Sequence, residues 1–136
     1  GGPEAVIAPQ RVEQAAQSGE PAEPLGVTLF DPPSLGQSAY DAVIVSYYLH
    51  RPLFPSLIDA LKPNGILLYE TFTIDNYFRH RHPRRWEFCL APNELLRLTS
   101  PLRVLHYDEG EHDGGHGSGA SYTARLVAQK AGPETP

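Results

Sequence analysis

The chain has a single cysteine, Cys89, no methionine and one tryptophan among its 136 residues. One thiol excludes an internal disulfide and points to a reducing compartment, so a cytoplasmic home is expected. Nowhere does an apolar run approach the roughly 20 residues that a membrane-spanning helix needs, and no membrane association is expected. The opening residues show neither the basic nor the apolar region of a signal peptide. They read Gly-Gly-Pro without a methionine, as a processed, tagged or fragmentary chain does. An excess of basic residues is missing too. The formal net charge of -5 argues against a general polyanion binder, so nucleic acid is not an expected partner. No internal repeat is visible. What is present, 40% hydrophobic and 20% charged residues, fits one globular domain over residues 1–136 with a core of its own.

The elements can be read from local pattern. "EAVIAP" predicts a short strand over residues 5–8, and "PQRVEQAAQSG" a short helix started by Pro9 and stopped by Gly19. "VTLF", residues 27–30, is a second short apolar run, closed by the paired prolines of "DPPSLGQS". "DAVIVSYYL" is almost continuously apolar and rich in β-branched and aromatic residues, as a buried parallel strand is. In "RPLFPSLIDAL" the residues Leu53, Phe54, Leu57, Ile58 and Leu61 recur at helical spacing, with Pro52 and Pro55 tolerable only in the first turn. "KPNG" is a stop and turn, and "GILLYETFT" the next buried strand. Two such strands around one short helix form a βαβ unit. "IDNYFRHRHPRRWEF" is a polar, aromatic and basic excursion, and "APNELLRLTS" a short helix capped by Asn93. "LRVLHYDEG" and "SYTARLVAQK" pair as an antiparallel hairpin across a flexible Gly-rich loop, residues 111–121; residues 131–136 form a frayed tail.

This order, with "YDAVIV", "LIDALKPNGILLYETF" and "SYTARLVAQK", resembles the class I S-adenosylmethionine-dependent methyltransferases. The likeness is nearest to small bacterial members that carry "YLHRPLF" after their fourth strand. It covers residues 40–130 well and the first 39 loosely. It implies an α/β, Rossmann-like, mostly parallel sheet ending in an antiparallel hairpin, with S-adenosylmethionine over the carboxyl ends of the strands. By resemblance Asp31 matches the acidic residue that meets the adenine, and Ser46 and Tyr47 face the cofactor. His50 and Tyr48 are the catalytic candidates, accepting a proton from the methyl acceptor, a small molecule, or positioning it. Arg51, Glu70, Thr71, Arg81 and Trp86 would line the mouth, the rim or a lid.

The departure is as informative. The family's Gly-rich turn after its first strand, which lets backbone approach the cofactor closely, has no counterpart in this sequence. Its ribose-binding carboxylate is missing as well, since Val6 or Ile7 falls in that place. The family's first β-α unit is therefore expected to be absent, leaving strand edges in mid-sheet unpaired. A shifted early strand, a homodimer, or a missing N-terminal segment would each repair this. A catalytically inactive module that dimerises or binds a partner is the alternative reading.

Other signals weigh less. "FDPPS" echoes the [DN]-P-P-[YF] motif of amino-group methyltransferases but has Ser34 for the aromatic and sits one strand too early. "YFRHRHPRRW" gathers four arginines among aromatics, as nucleic-acid surfaces do, yet a lid or interface explains it more simply. "HDGGHG" offers His112, Asp113 and His116, but a Gly-rich loop preorganises little, and no metal site is expected. His106 reads as an ordinary strand residue and Cys89 as a small buried hydrophobe.

Overall fold

The computed structural model describes residues 4–7, 36–113 and 119–133. Five strands form one mixed sheet: β1 (Glu4–Ile7), β2 (Tyr40–Ser46), β3 (Leu61–Phe72), β4 (Arg103–His112) and β5 (Ser121–Gln129), in the order β1-β2-β3-β5-β4. The pairs β1/β2 and β2/β3 are parallel, and β3/β5 and β5/β4 antiparallel. Among the described residues three α-helices accompany them: α1 (Phe54–Ala60), α2 (Ile74–His80) and α3 (Glu94–Leu98). The expected α/β architecture, parallel unit followed by antiparallel hairpin, is present. The early strand pairs directly with β2, in the register Val6 opposite Ile44, so the edge that the resemblance left open is filled by β1. The expected helix over residues 9–19, the strand over 27–30, Asp31 and "FDPPS" lie outside the described residues.

Period-two alternation splits the sheet into two faces. Val43 and Val45 of β2, Leu67 and Tyr69 of β3, and Ala124, Leu126 and Ala128 of β5 point to one side and are buried. Phe54, Leu57 and Ala60 of α1 and Leu95 of α3 close over them, with the Phe54 ring stacked on Tyr69 at 5.1 Å. Each such leucine withdrawn from water contributes about 1.5–3 kcal/mol. The alternate residues Ala42, Ile44, Ile66, Leu68 and Val127 point the other way and keep solvent contact.

Several boundaries differ from the sequence reading, each for a local reason. Pro52 and Pro55 hold residues Arg51–Leu53 in a 3-10 turn before α1, and Leu61 already belongs to β3. "KPNG" is not a break but a bulge within β3: Tyr40 pairs with Leu61 and Ala42 with Ile66, so the extra residues loop out. Asn64 takes the left-handed backbone, φ 68°, that asparagine tolerates and glycine prefers. A Cβ at Gly65 would lie 2.8 Å from the Lys62 carbonyl, so glycine is required there. Ile74–His80, expected to be an irregular excursion, is the helix α2. Its start is fixed by the buried Asn76, whose Nδ2 donates to the His82 carbonyl at 2.6 Å. Asn93 stands at the start of α3 without a side-chain cap bond; Glu94 instead accepts from the Ala91 N–H at 2.9 Å. The Gly-rich loop is shorter than expected, because Glu111 and His112 extend β4 and Ser121 opens β5. The tail is described to residue 133, with Gly132 against the Asn64 side chain. No helix among the described residues is long and apolar enough to cross a membrane.

Candidate functional site

The parallel strands β2 and β3 end side by side, and the side chains at their carboxyl ends form a shelf. Ser46 pairs in register with Glu70. The next residue, Tyr47, leaves the strand with φ 53°, a left-handed conformation that costs a bulky L-residue free energy. Its N–H donates to the Glu70 carbonyl at 2.8 Å, and its ring lies 5.1 Å from Phe72. Phe72 in turn meets the edge of His82 at 5.1 Å, linking the shelf to the segment after α2. Tyr48 is held by its backbone, since its carbonyl accepts from the buried Tyr69 hydroxyl at 2.5 Å. Burial raises the Tyr48 phenol above its ordinary range and keeps its proton on, so Tyr48 is suited to donating a hydrogen bond rather than acting as a base. His50 precedes the 3-10 turn, its carbonyl accepting from the Leu53 N–H at 3.0 Å. The His50 ring has no hydrogen-bond partner among the described residues.

On the solvent-facing side of the same strand ends runs a chain of polar groups. Glu70 accepts from Arg125 Nε at 2.8 Å and from the Thr123 hydroxyl at 2.9 Å. Thr123 Oγ1 lies 2.6 Å from His112 Nδ1, His112 Nε2 meets Asp108 Oδ1, and Asp108 Oδ2 lies 2.8 Å from His106 Nε2. The bond to Glu70 holds the Arg125 guanidinium above its usual range. At Asp108 burial works against the charged form, but the bonds from His106 and His112 outweigh it and lower the carboxyl. A groove of about 290 Å³ opens beside this chain, floored by Ile44, Leu68 and Val127 and edged by Ser46, Glu70 and Arg125.

The structure distributes the sequence candidates unevenly. Ser46, Tyr47 and Glu70 come together on the shelf, whereas the Tyr48 side chain packs against the core cluster. Thr71, expected on the rim with Glu70, is instead buried: strand neighbours alternate, and Thr71 faces the packed side. Arg51, expected at the cleft mouth, is committed elsewhere. Its Nε and NH2 grip Glu94 at 2.5 and 3.0 Å, while NH1 and NH2 reach the carbonyls of Glu87 and Cys89 at 2.8 and 3.0 Å. That clamp fastens the end of the excursion to the start of α3. The Glu94 hydrogen bond raises the Arg51 guanidinium against the opposing effect of burial, and lowers the Glu94 carboxyl in return. Arg81 and Trp86 are exposed, Arg81 over the Tyr77 ring at 5.2 Å. Cys89 is buried and its thiol is pushed up to about 11 by desolvation, which makes it inert. No group of three metal-ligating side chains that could hold an ion exists among the described residues.

Sequence reasoning passed over Phe72, His82, Asp108, Thr123 and Arg125. The signal for Thr123 and Arg125 was available: in "SYTARLV" they are the polar members of an alternating strand and so share a face. His82 carried no such periodicity.

No protein-family model and no curated protein sequence matches the chain. Solved structures do. A S-adenosylmethionine-dependent methyltransferase from Methanosarcina mazei superposes with a TM-score of 0.54 at 14% identity, over 71% of this chain and 61% of that one. TehB from Haemophilus influenzae gives 0.57 at 18% identity over 88% of this chain and 44% of its own. The N-methyltransferase NodS from Bradyrhizobium japonicum gives 0.51 at 13% over 71% and 53%. The fold is thus that of the S-adenosylmethionine-dependent methyltransferases. The chain spans about half the length of these structures.

Proposed function

We propose that the shelf at the carboxyl ends of β2 and β3 is the methionine half of an S-adenosylmethionine cleft, in a methyltransferase-like domain acting on a small molecule. The observation that carries this reading is Tyr47. A tyrosine held at positive φ where a parallel strand ends, between Ser46 and Tyr48, is strain of the kind found at ligand sites. The described residues fit that half of the cofactor. Glu70 supplies negative charge beside a sulfonium, Ser46 and the turned backbone of Tyr47 supply polar contacts, and the groove floor is apolar. Asp31 would meet the adenine, as the resemblance implies. When bound, the cofactor supplies an electrophilic methyl group on sulfur. The chain's own residues orient and desolvate the acceptor. Tyr48, its phenol kept protonated, donates a hydrogen bond to the acceptor, and the free ring of His50 takes the proton that the acceptor gives up. A calorimetric titration with S-adenosylhomocysteine tests the reading. Saturable heat in the micromolar range is expected, and none up to millimolar ligand would sink it.

A second reading has an observation of its own. Leu68 remains 37% exposed on a sheet face where Ile44, Ile66 and Val127 are also only partly covered. Buried parallel sheets in this fold class are covered on both faces. A homodimer or another partner over that face would suit an inactive binding module.

A further inference from the structure

Protons can be counted along the chain from Glu70 to Asp108, and the count constrains His112. The Thr123 hydroxyl has one hydrogen. Its oxygen lies 2.9 Å from Glu70 Oε2, and a carboxylate only accepts, so the hydrogen points to Glu70. Towards His112 Nδ1, 2.6 Å away, the same oxygen can then only accept, and Nδ1 must carry a hydrogen. On the other side of the ring, Nε2 meets Asp108 Oδ1. An ionised carboxylate only accepts, so Nε2 must carry a hydrogen as well. All the bonds are satisfied together only by a doubly protonated His112. That ring is mostly shielded, with its side chain 15% exposed.

Removing one proton changes the pattern in one direction. The hydrogen facing the Asp108 carboxylate stays, because a bare ring nitrogen against a carboxylate is repulsive. Nδ1 then becomes an acceptor, and the Thr123 hydroxyl turns to donate to it. Glu70 loses that bond and keeps Arg125 Nε at 2.8 Å. We propose that His112 is a positioning residue whose second ring proton decides whether Thr123 serves Glu70 or His112, so that the Glu70 carboxylate is held at lower pH and freed towards the groove as pH rises. His112 itself meets Asp108 on its own strand and Thr123 on β5; His106 reaches Asp108, and Glu70 on β3, with its partner Arg125 on β5, lies beyond Thr123. The held state needs Asp108 ionised and His112 as an imidazolium. The proposal concerns the free protein and stands apart from what the cleft binds.

Nuclear magnetic resonance of the whole chain, without ligand, tests it. The ring nitrogens of the six histidines and the side-chain carboxyl carbon of Glu70 are followed from pH 5 to 8. The expected result is a step in the Glu70 signal at the His112 midpoint, with the hydrogen that remains residing on Nε2. In Thr123→Val the Glu70 step disappears while His112 still titrates. In His112→Gln the step is lost too, which keeps the test open if the valine variant does not fold. His106→Asn should leave the step in place. A Glu70 signal with no step at the His112 midpoint, or a step that persists in Thr123→Val, overturns the proposal. Persistence would mean that charge acts through space and not through the hydroxyl.

Discussion

Val43 and Ile44 are neighbours on one strand and meet different surroundings. Val43 points into the cluster under α1 and α3 and is fully buried; Ile44 points to the face whose grooved surface ends at Ser46 and Glu70. The same contrast repeats on β3, where Leu67 is sealed and Leu68 is 37% exposed. Backbone pairing treats both faces alike, so the difference lies in the covering layer. On the packed face, hydrophobic side chains supply cohesion. On the open face, apolar floor residues leave room beside the polar chain at the strand ends. One sheet thus carries stability on one side and the candidate site on the other.

Substitutions can break that comparison. Leu67→Ala should destabilise the chain by about 2–5 kcal/mol in equilibrium urea unfolding, whereas Leu68→Lys should change stability by about 0.5 kcal/mol or less. Equal costs would mean that the two faces are covered alike. If a second copy covers the open face, Leu68→Lys would instead lower association in sedimentation.

The Arg51 clamp comes next in size. Arg51→Ala removes two charged bonds to Glu94 and strands the Glu87 and Cys89 carbonyls, at a cost of about 1–3 kcal/mol, with lysine restoring only part. The clamp also has a pH signature. The Arg51 hydrogen bond holds the Glu94 carboxyl below its unfolded value, so its contribution is present above the unfolded pKa and is lost as pH falls through the folded one. Acid unfolding curves should therefore be shallower in Arg51→Ala below about pH 4.5. Identical curves would show that Glu94 gains nothing from the pair.

A smaller effect than at the clamp is expected at the β3 bulge. Asn64→Gly should change stability by no more than about 0.5–1 kcal/mol, because glycine fits φ 68° but loosens the unfolded chain. Gly65→Ala, whose Cβ would press on the Lys62 carbonyl, should cost more.

Fold and site were not equally legible in the sequence. The βαβ unit could be read because Val43, Val45, Leu57, Leu67 and their neighbours obey strand and helix periods. Such periods report burial, and burial is what builds the sheet. Helix α2 was missed since Tyr77, Phe78 and Arg79 show no apolar stripe. The helix is held by the buried Asn76 bridging to His82 and to the Tyr122 N–H, contacts distant from the pattern of any window. Ser46, Tyr47 and Tyr48 were singled out as candidates by position at a strand end. The link from Glu70 to His112 joins β3 to the hairpin and depends on register, which local spacing does not reveal. Arg51 was assigned to the mouth from its neighbours in sequence; only Glu94, far along the chain, shows its actual work.

The most direct test of the central claim is amide chemical-shift mapping of this chain with S-adenosylhomocysteine. The account predicts saturable shifts concentrated at residues 46–49 and 70–72. Silence at Tyr47 and Tyr48 up to millimolar ligand would contradict it.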